Sequence, residues 1–197
     1  MSILNRTFSL AEMSMLSNTN AQTIKAWYGK GFPVKSGVTG GGGAGQRREF
    51  SFFSAIEVTI AAALSATIGG ARDMQWIFER ARSYAHAADG GATFDLPERL
   101  PGLPFHHSFG ETIFAVSSAR TCEVIWKPGS GHDTFGQIRN LCNSDHFISL
   151  NTSKVFNAFC ARIGLDAREI LDAEYLESGF SHSLPGSEIK KVSGDAS

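Results

Sequence analysis

The chain has 197 residues, 42% of them hydrophobic and 19% charged, a globular balance with room for one domain or two small ones. Its formal net charge is -1, so the chain as a whole is not a basic nucleic-acid coat. The longest apolar run, Val58 to Leu64, is far too short to cross a bilayer, and no membrane partner is expected.

The charge is unevenly placed. Residues 1–70 hold Arg6, Lys25, Lys30, Lys35, Arg47 and Arg48 against Glu12, Glu49 and Glu57, whereas the remainder holds 12 basic and 16 acidic residues. A basic head on an acidic body suits a chain that meets phosphates with one end only. The three cysteines, Cys122, Cys142 and Cys160, are widely spaced and form no CxxC pair. Neither a zinc ribbon nor a disulfide framework is indicated, and reduced thiols are expected. The first residues carry no basic-then-apolar signal pattern, so a cytoplasmic, nucleoid-associated location is expected.

In chain order, Ser9-Leu-Ala-Glu12 is a capping box, and Leu10, Met13 and Leu16 give the apolar face of a short helix near 10–16. Ser17-Asn18-Thr19 reads as a turn. Asn20 caps a second helix, Ala21 to Tyr28, which Gly29, Gly31 and Pro33 stop. Two extended arms, Val34–Val38 and Gln46–Phe50, flank a glycine tip at 40–45 and predict a β-hairpin. Ser51 or Ser54 caps a third helix with Phe53, Ile56, Ile60 and Leu64 as its buried stripe; Ser54-x-x-Glu57 is a second capping-box match. A fourth helix spans about 71–88. Residues 92–110, rich in Pro and Gly, read as a linker or an extended wrap. Strands are expected at Thr112–Ser118, Thr121–Lys127 and His146–Leu150, with Gly129–Gly131 a turn or loop. An amphipathic helix capped by Asn151 or Thr152 follows, then a short helix at Asp166–Tyr175, and a polar tail that is expected to be disordered.

A helix, a tight turn, a second helix, a glycine hairpin and a third helix make the order of a winged helix-turn-helix. The residues extend the likeness. Phe8-Ser-Leu-Ala-Glu12, Thr23-Ile-Lys-Ala-Trp-Tyr-Gly-Lys-Gly-Phe32 and Arg48-Glu-Phe-Ser51 fall in the order and spacing of three motifs of MerR-type domains, and residues 7–70 resemble that family. Lys25 stands where the family has Arg, keeping charge but losing the bidentate fork. Ala26, Trp27 and Tyr28 depart at the two aromatic positions and the Glu, and the wing tip is unusually glycine-rich. These departures resemble a distant, phage-like or mobile-element branch.

The resemblance implies a double-stranded DNA-binding transcriptional regulator that acts as a homodimer on a palindromic operator and meets RNA polymerase. The fold class expected is α+β: a winged helix-turn-helix over residues 1–70, a linking or dimerisation helix at 71–88, an α+β dimerisation or sensing module at 92–178, and a tail at 179–197. Asn20, Gln22 and Thr23 open the second helix, where short polar side chains face base edges or phosphate. Asn20 reads equally as a cap alone. Lys25 and Lys30 supply cations, and Lys25 reads otherwise as a solvated lysine. Trp27 and Tyr28 read either as core or as indole and phenol donors to phosphate. Arg47 and Arg48 point to opposite faces of their arm, and the family register makes Arg48 the DNA contact. The other arginine is expected to pair with Glu49 or Glu12.

No cofactor, metal or enzyme activity is expected. His106-His107 invites a metal reading with Cys122 or Cys142, but no helical or hairpin spacing supports it. Ser130-Gly-His132-Asp133 holds the residue types of a hydrolase triad without the spatial convergence one needs. Two other functions stay open: an excisionase-like architectural DNA-bending factor, and a regulator that senses a small molecule in the C-terminal module.

Overall fold

A computed structural model of the chain describes residues 2–33, 38–39, 48–68, 73–86, 99–118 and 120–179. The architecture is α+β, with helices packed around two small antiparallel sheets. The glycine tip at 40–45, Lys35, Arg47 and nearly all of the tail lie outside the described residues. Among the described residues, no helix is long and apolar enough to cross a membrane.

The N-terminal part is built on local signals. Strand β1, Thr7–Ser9, runs directly into helix α1, Leu10–Ser17. Both bonds of the expected capping box form: the Ser9 hydroxyl accepts from the Glu12 N–H, and the Glu12 carboxylate accepts from the Ser9 N–H at 2.8 Å. Asn18 then adopts the left-handed conformation (φ 51°, ψ 38°) that lets the chain reverse in a single residue. Helix α2, Ala21–Gly29, starts at once, with the Gln22 N–H donating to Asn20 Oδ1 at 2.8 Å. Gly31 ends it at φ +75°, while the Phe32 N–H reaches back to the Trp27 carbonyl.

Strand β2, Val38–Thr39, and strand β3, Glu49–Ser51, pair antiparallel as the two arms of the expected hairpin. The sheet order is β1-β3-β2, with Phe8 opposite Phe50. Ser51, not Ser54, caps helix α3, Phe52–Thr67, by accepting from the Ser54 N–H. The Ser54–Glu57 capping box does not form. Glu57 lies inside the helix, fully buried, and faces Arg82 and His86 of helix α4, Met74–His86.

Residues 99–110 resolve the choice between linker and wrap. They are a wrap fixed by a buried guanidinium. Arg99 Nε donates to Glu123 at 2.5 Å, and its other nitrogens reach the carbonyls of Tyr84, Leu100 and Leu103. Strands β4 (Glu111–Val116), β5 (Thr121–Trp126) and β6 (Ile148–Asn151) form a second sheet in the order β5-β4-β6. Between β5 and β6 lies helix α5, Thr134–Cys142, which the sequence does not announce. Helices α6 (Thr152–Arg162) and α7 (Ala167–Glu177) are the last described elements, with Asn151 and Asp166 as their caps.

One apolar core joins the two ends of the sequence. Phe8, Phe50, Phe52 and Leu16 from the N-terminal part share it with Phe114, Phe156, Phe159 and Tyr175. The expected boundaries at 70 and 92 therefore lie between segments that bury a common interior.

Candidate nucleic-acid interface

Helix α2 has two opposed faces. Ile24 is completely buried and Tyr28 is 4% exposed, one turn apart on the inner side. Gln22, Lys25, Ala26 and Gly29 are exposed at helical spacing on the outer side, with Thr23 and Lys30 exposed beside them. Helix α2 carries no acidic residue, so the outward charge of that face is positive. Asn20 is exposed at the N-terminal end, where the first amides of the helix favour an anion.

The inner face explains why the outer face is held still. The Tyr28 ring lies 4.9 Å from that of Phe50 in β3, which pins the helix to the hairpin. Burial pushes the Tyr28 phenol well above its ordinary value, against the opposing pull of Arg48. Trp27 is half-buried and meets Phe78 of α4 edge-on at 5.2 Å. Phe32 stacks on the same Phe78, and Arg82 Nη2 donates to the Phe32 carbonyl at 2.9 Å. At the other end, Arg162 of α6 donates to the carbonyl of Leu16 in α1.

The expected contact residues thus separate. Asn20, Gln22, Thr23, Lys25 and Lys30 share the exposed side of α2 and its ends. Arg48 is exposed just before Phe50, so it emerges beside the part of the hairpin that covers Tyr28. Of the two readings of Tyr28, the structure places its ring in the core, 4% exposed and packed on Phe50. Trp27 packs its ring on α4. The expected pairing of Arg47 with Glu49 or Glu12 falls outside the described residues. Glu12 pairs with Arg6 at 3.4 Å, and Glu49 accepts from the Thr7 hydroxyl at 3.3 Å.

Sequence reasoning does not find the residues that position this face. Glu57, Arg82 and Arg162 act through tertiary contacts with segments far along the chain, and no local motif announces them. Glu57 even gives a false local signal, because its spacing from Ser54 matches a capping box.

The histidine pair also lands differently. His106 and His107 do not meet a cysteine. Their Nε2 atoms both lie 2.8 Å from Asp172 Oδ1 on α7. Cys122 and Cys142 face each other instead, with sulfurs 3.2 Å apart. Ser130 and Asp133 serve a turn and a helix start: the Ser130 hydroxyl donates to the Lys127 carbonyl, and Asp133 caps α5.

No protein-family model matches this chain, and no curated protein matches it.

Proposed function

We propose that the chain is a sequence-specific double-stranded DNA-binding transcriptional regulator whose reading element is a winged helix-turn-helix of MerR type. The observation that carries this reading is the two-sided character of α2: a locked apolar inner face, and an exposed outer face of Gln22, Thr23, Lys25 and Lys30 without an acid. Helix α1 braces α2 across a tight turn. The β2–β3 hairpin stands beside it with Arg48 exposed, in the order that docks a helix in the major groove and a wing on the backbone.

In this reading Gln22 and Thr23 face base edges, Lys25, Lys30 and Arg48 face phosphates, and Asn20 both caps the helix and orients its first amides. Each head offers few cations, so the regulator acts as a dimer on a palindromic site. The apolar face of α4 is consumed against α3 inside the chain. The two-fold contact therefore falls to the C-terminal part, where Phe135 is 68% exposed and stacks on Phe147.

Selection of bound duplexes from a random pool tests the proposal. A palindromic consensus is expected, with half-sites about one helical turn apart. Recovery of no consensus, with bending of every retained duplex, would instead favour the architectural reading.

A further inference from the structure

We infer that His106, His107 and Asp172 form a binding site for a first-row divalent cation, zinc foremost. Two imidazole Nε2 atoms converge on one carboxylate oxygen, each 2.8 Å from it, and the three donor atoms all lie within 4.8 Å of one another. Tetrahedral zinc at bonds of about 2.0–2.1 Å separates its ligand atoms by roughly 3.3 Å. Each histidine–aspartate pair needs to open by only about half an ångström to admit the ion, given that bond length. Borderline nitrogen donors with one carboxylate suit zinc and its neighbours rather than magnesium or calcium. Three protein donors leave the fourth position to water or an external ligand.

The site is held by its surroundings. His106 is 5% exposed at its side chain and packs edge-on against Tyr175, whose hydroxyl donates to the Pro104 carbonyl at 2.8 Å. The Phe105 N–H donates to Thr112 Oγ1, which ties the histidine segment to β4. Gly110 closes the turn at φ +131°, where an added Cβ would stand 2.7 Å from the Trp126 carbonyl. The opposite side is open: the side chains of His107 and Asp172 are 36% and 59% exposed, which gives an ion an entry path.

Second-neighbour chemistry supports the same assignment. His106 Nδ1 lies 2.7 Å from Ser108 Oγ and accepts from the Ser108 N–H at 3.3 Å. When Nε2 binds a metal, the ring proton moves to Nδ1, the contact with the Ser108 N–H gives way, and the serine oxygen is placed to accept that proton. Ser108 is thus a positioning residue for the His106 ring.

The test is calorimetric titration of the tag-free, full-length chain with zinc chloride, joined to visible spectroscopy of the cobalt(II)-loaded protein. One equivalent is expected to bind, with a nitrogen–oxygen tetrahedral cobalt spectrum. His107→Ala and Asp172→Asn, both at exposed side chains, should each abolish or severely weaken binding while leaving the thermal unfolding of the metal-free protein nearly unchanged. Ser108→Ala should weaken it by about 10–100-fold. The assignment is overturned by absence of zinc binding, by binding that survives both His107→Ala and Asp172→Asn, or by a thiolate-to-cobalt charge-transfer band that places the ion at Cys122 and Cys142.

Discussion

Single residues around α2 divide into those that shape the helix and those that the proposed function sets against DNA. Lys25→Ala and Arg48→Ala remove exposed cations and should leave the melting temperature almost unchanged. Each should weaken binding to all duplexes alike, as fluorescence anisotropy with specific and unrelated DNA would show. Gln22→Ala should change site preference more than total affinity. Asn20→Ala should alter preference and also cost about 1 kcal/mol of stability through removal of the cap, measurable by urea denaturation. Tyr28→Ala should cost about 3–5 kcal/mol, as for other large buried aromatics, because its ring sits in the core. Glu12 adds a pH dependence. Hydrogen bonds from the Ser9 backbone and hydroxyl, together with Arg6, hold its carboxyl below the ordinary range despite partial burial. A lowered folded value means that this stabilisation is complete above the ordinary carboxylate range and fades as the pH falls through the lowered one. Thermal melts from neutral to acid pH should therefore show a shallower acid loss in Glu12→Gln than in the wild type.

Among the elements, the legible ones are those whose signals are local. The capping box of Ser9 and Glu12, the Asn18 turn, the Asn20 cap and the Gly31 stop all act within a few residues, and each is readable from composition and spacing. Strand β1 is not, because three residues ahead of a helix show too little alternation to betray a strand. Helix α5 is hidden behind Gly129 and Gly131 and by its own Gly136, although Asp133 is in place to cap it. The positioning contacts are illegible for a different reason. Glu57 reaches Arg82 and His86 in another helix, and Arg99 reaches Glu123 in a strand of the second sheet, so their partners appear only after folding. Of the candidate site, the exposed face of α2 is readable from its periodicity, while the burial of Tyr28 requires knowing where β3 returns. Arg82 permits a direct check on how the helices hold α2. Arg82→Ala should cost about 1 kcal/mol, since its side chain is 43% exposed and its pairing is partly screened. It should also weaken duplex binding while keeping the salt dependence, because it holds the Phe32 end of α2 and touches no phosphate.

In the molecule as a whole, the N-terminal and C-terminal parts are not beads on a string. Phe159 of α6 packs against both Phe8 and Phe52, and Arg162 grips the end of α1. A truncation after about residue 86 would expose Phe8, Phe52 and Leu16 together, so the first part should not fold alone with native stability. This coupling also gives the acidic remainder a physical role: it rigidifies the platform from which α2 projects. Phe135→Asp should shift the protein toward monomer in analytical ultracentrifugation and weaken operator binding by more than a change remote from DNA otherwise should. The proposed function rests on phosphate binding by the outer side of α2 and the hairpin arm, and salt titration of duplex binding probes that interface itself. The logarithm of the association constant should fall linearly with the logarithm of salt, and Lys25→Ala combined with Arg48→Ala should flatten that slope by about 0.9 for each phosphate no longer neutralised. An unchanged slope in the double variant, or no duplex retained by the wild type at low salt, would refute the phosphate interface and the regulator with it.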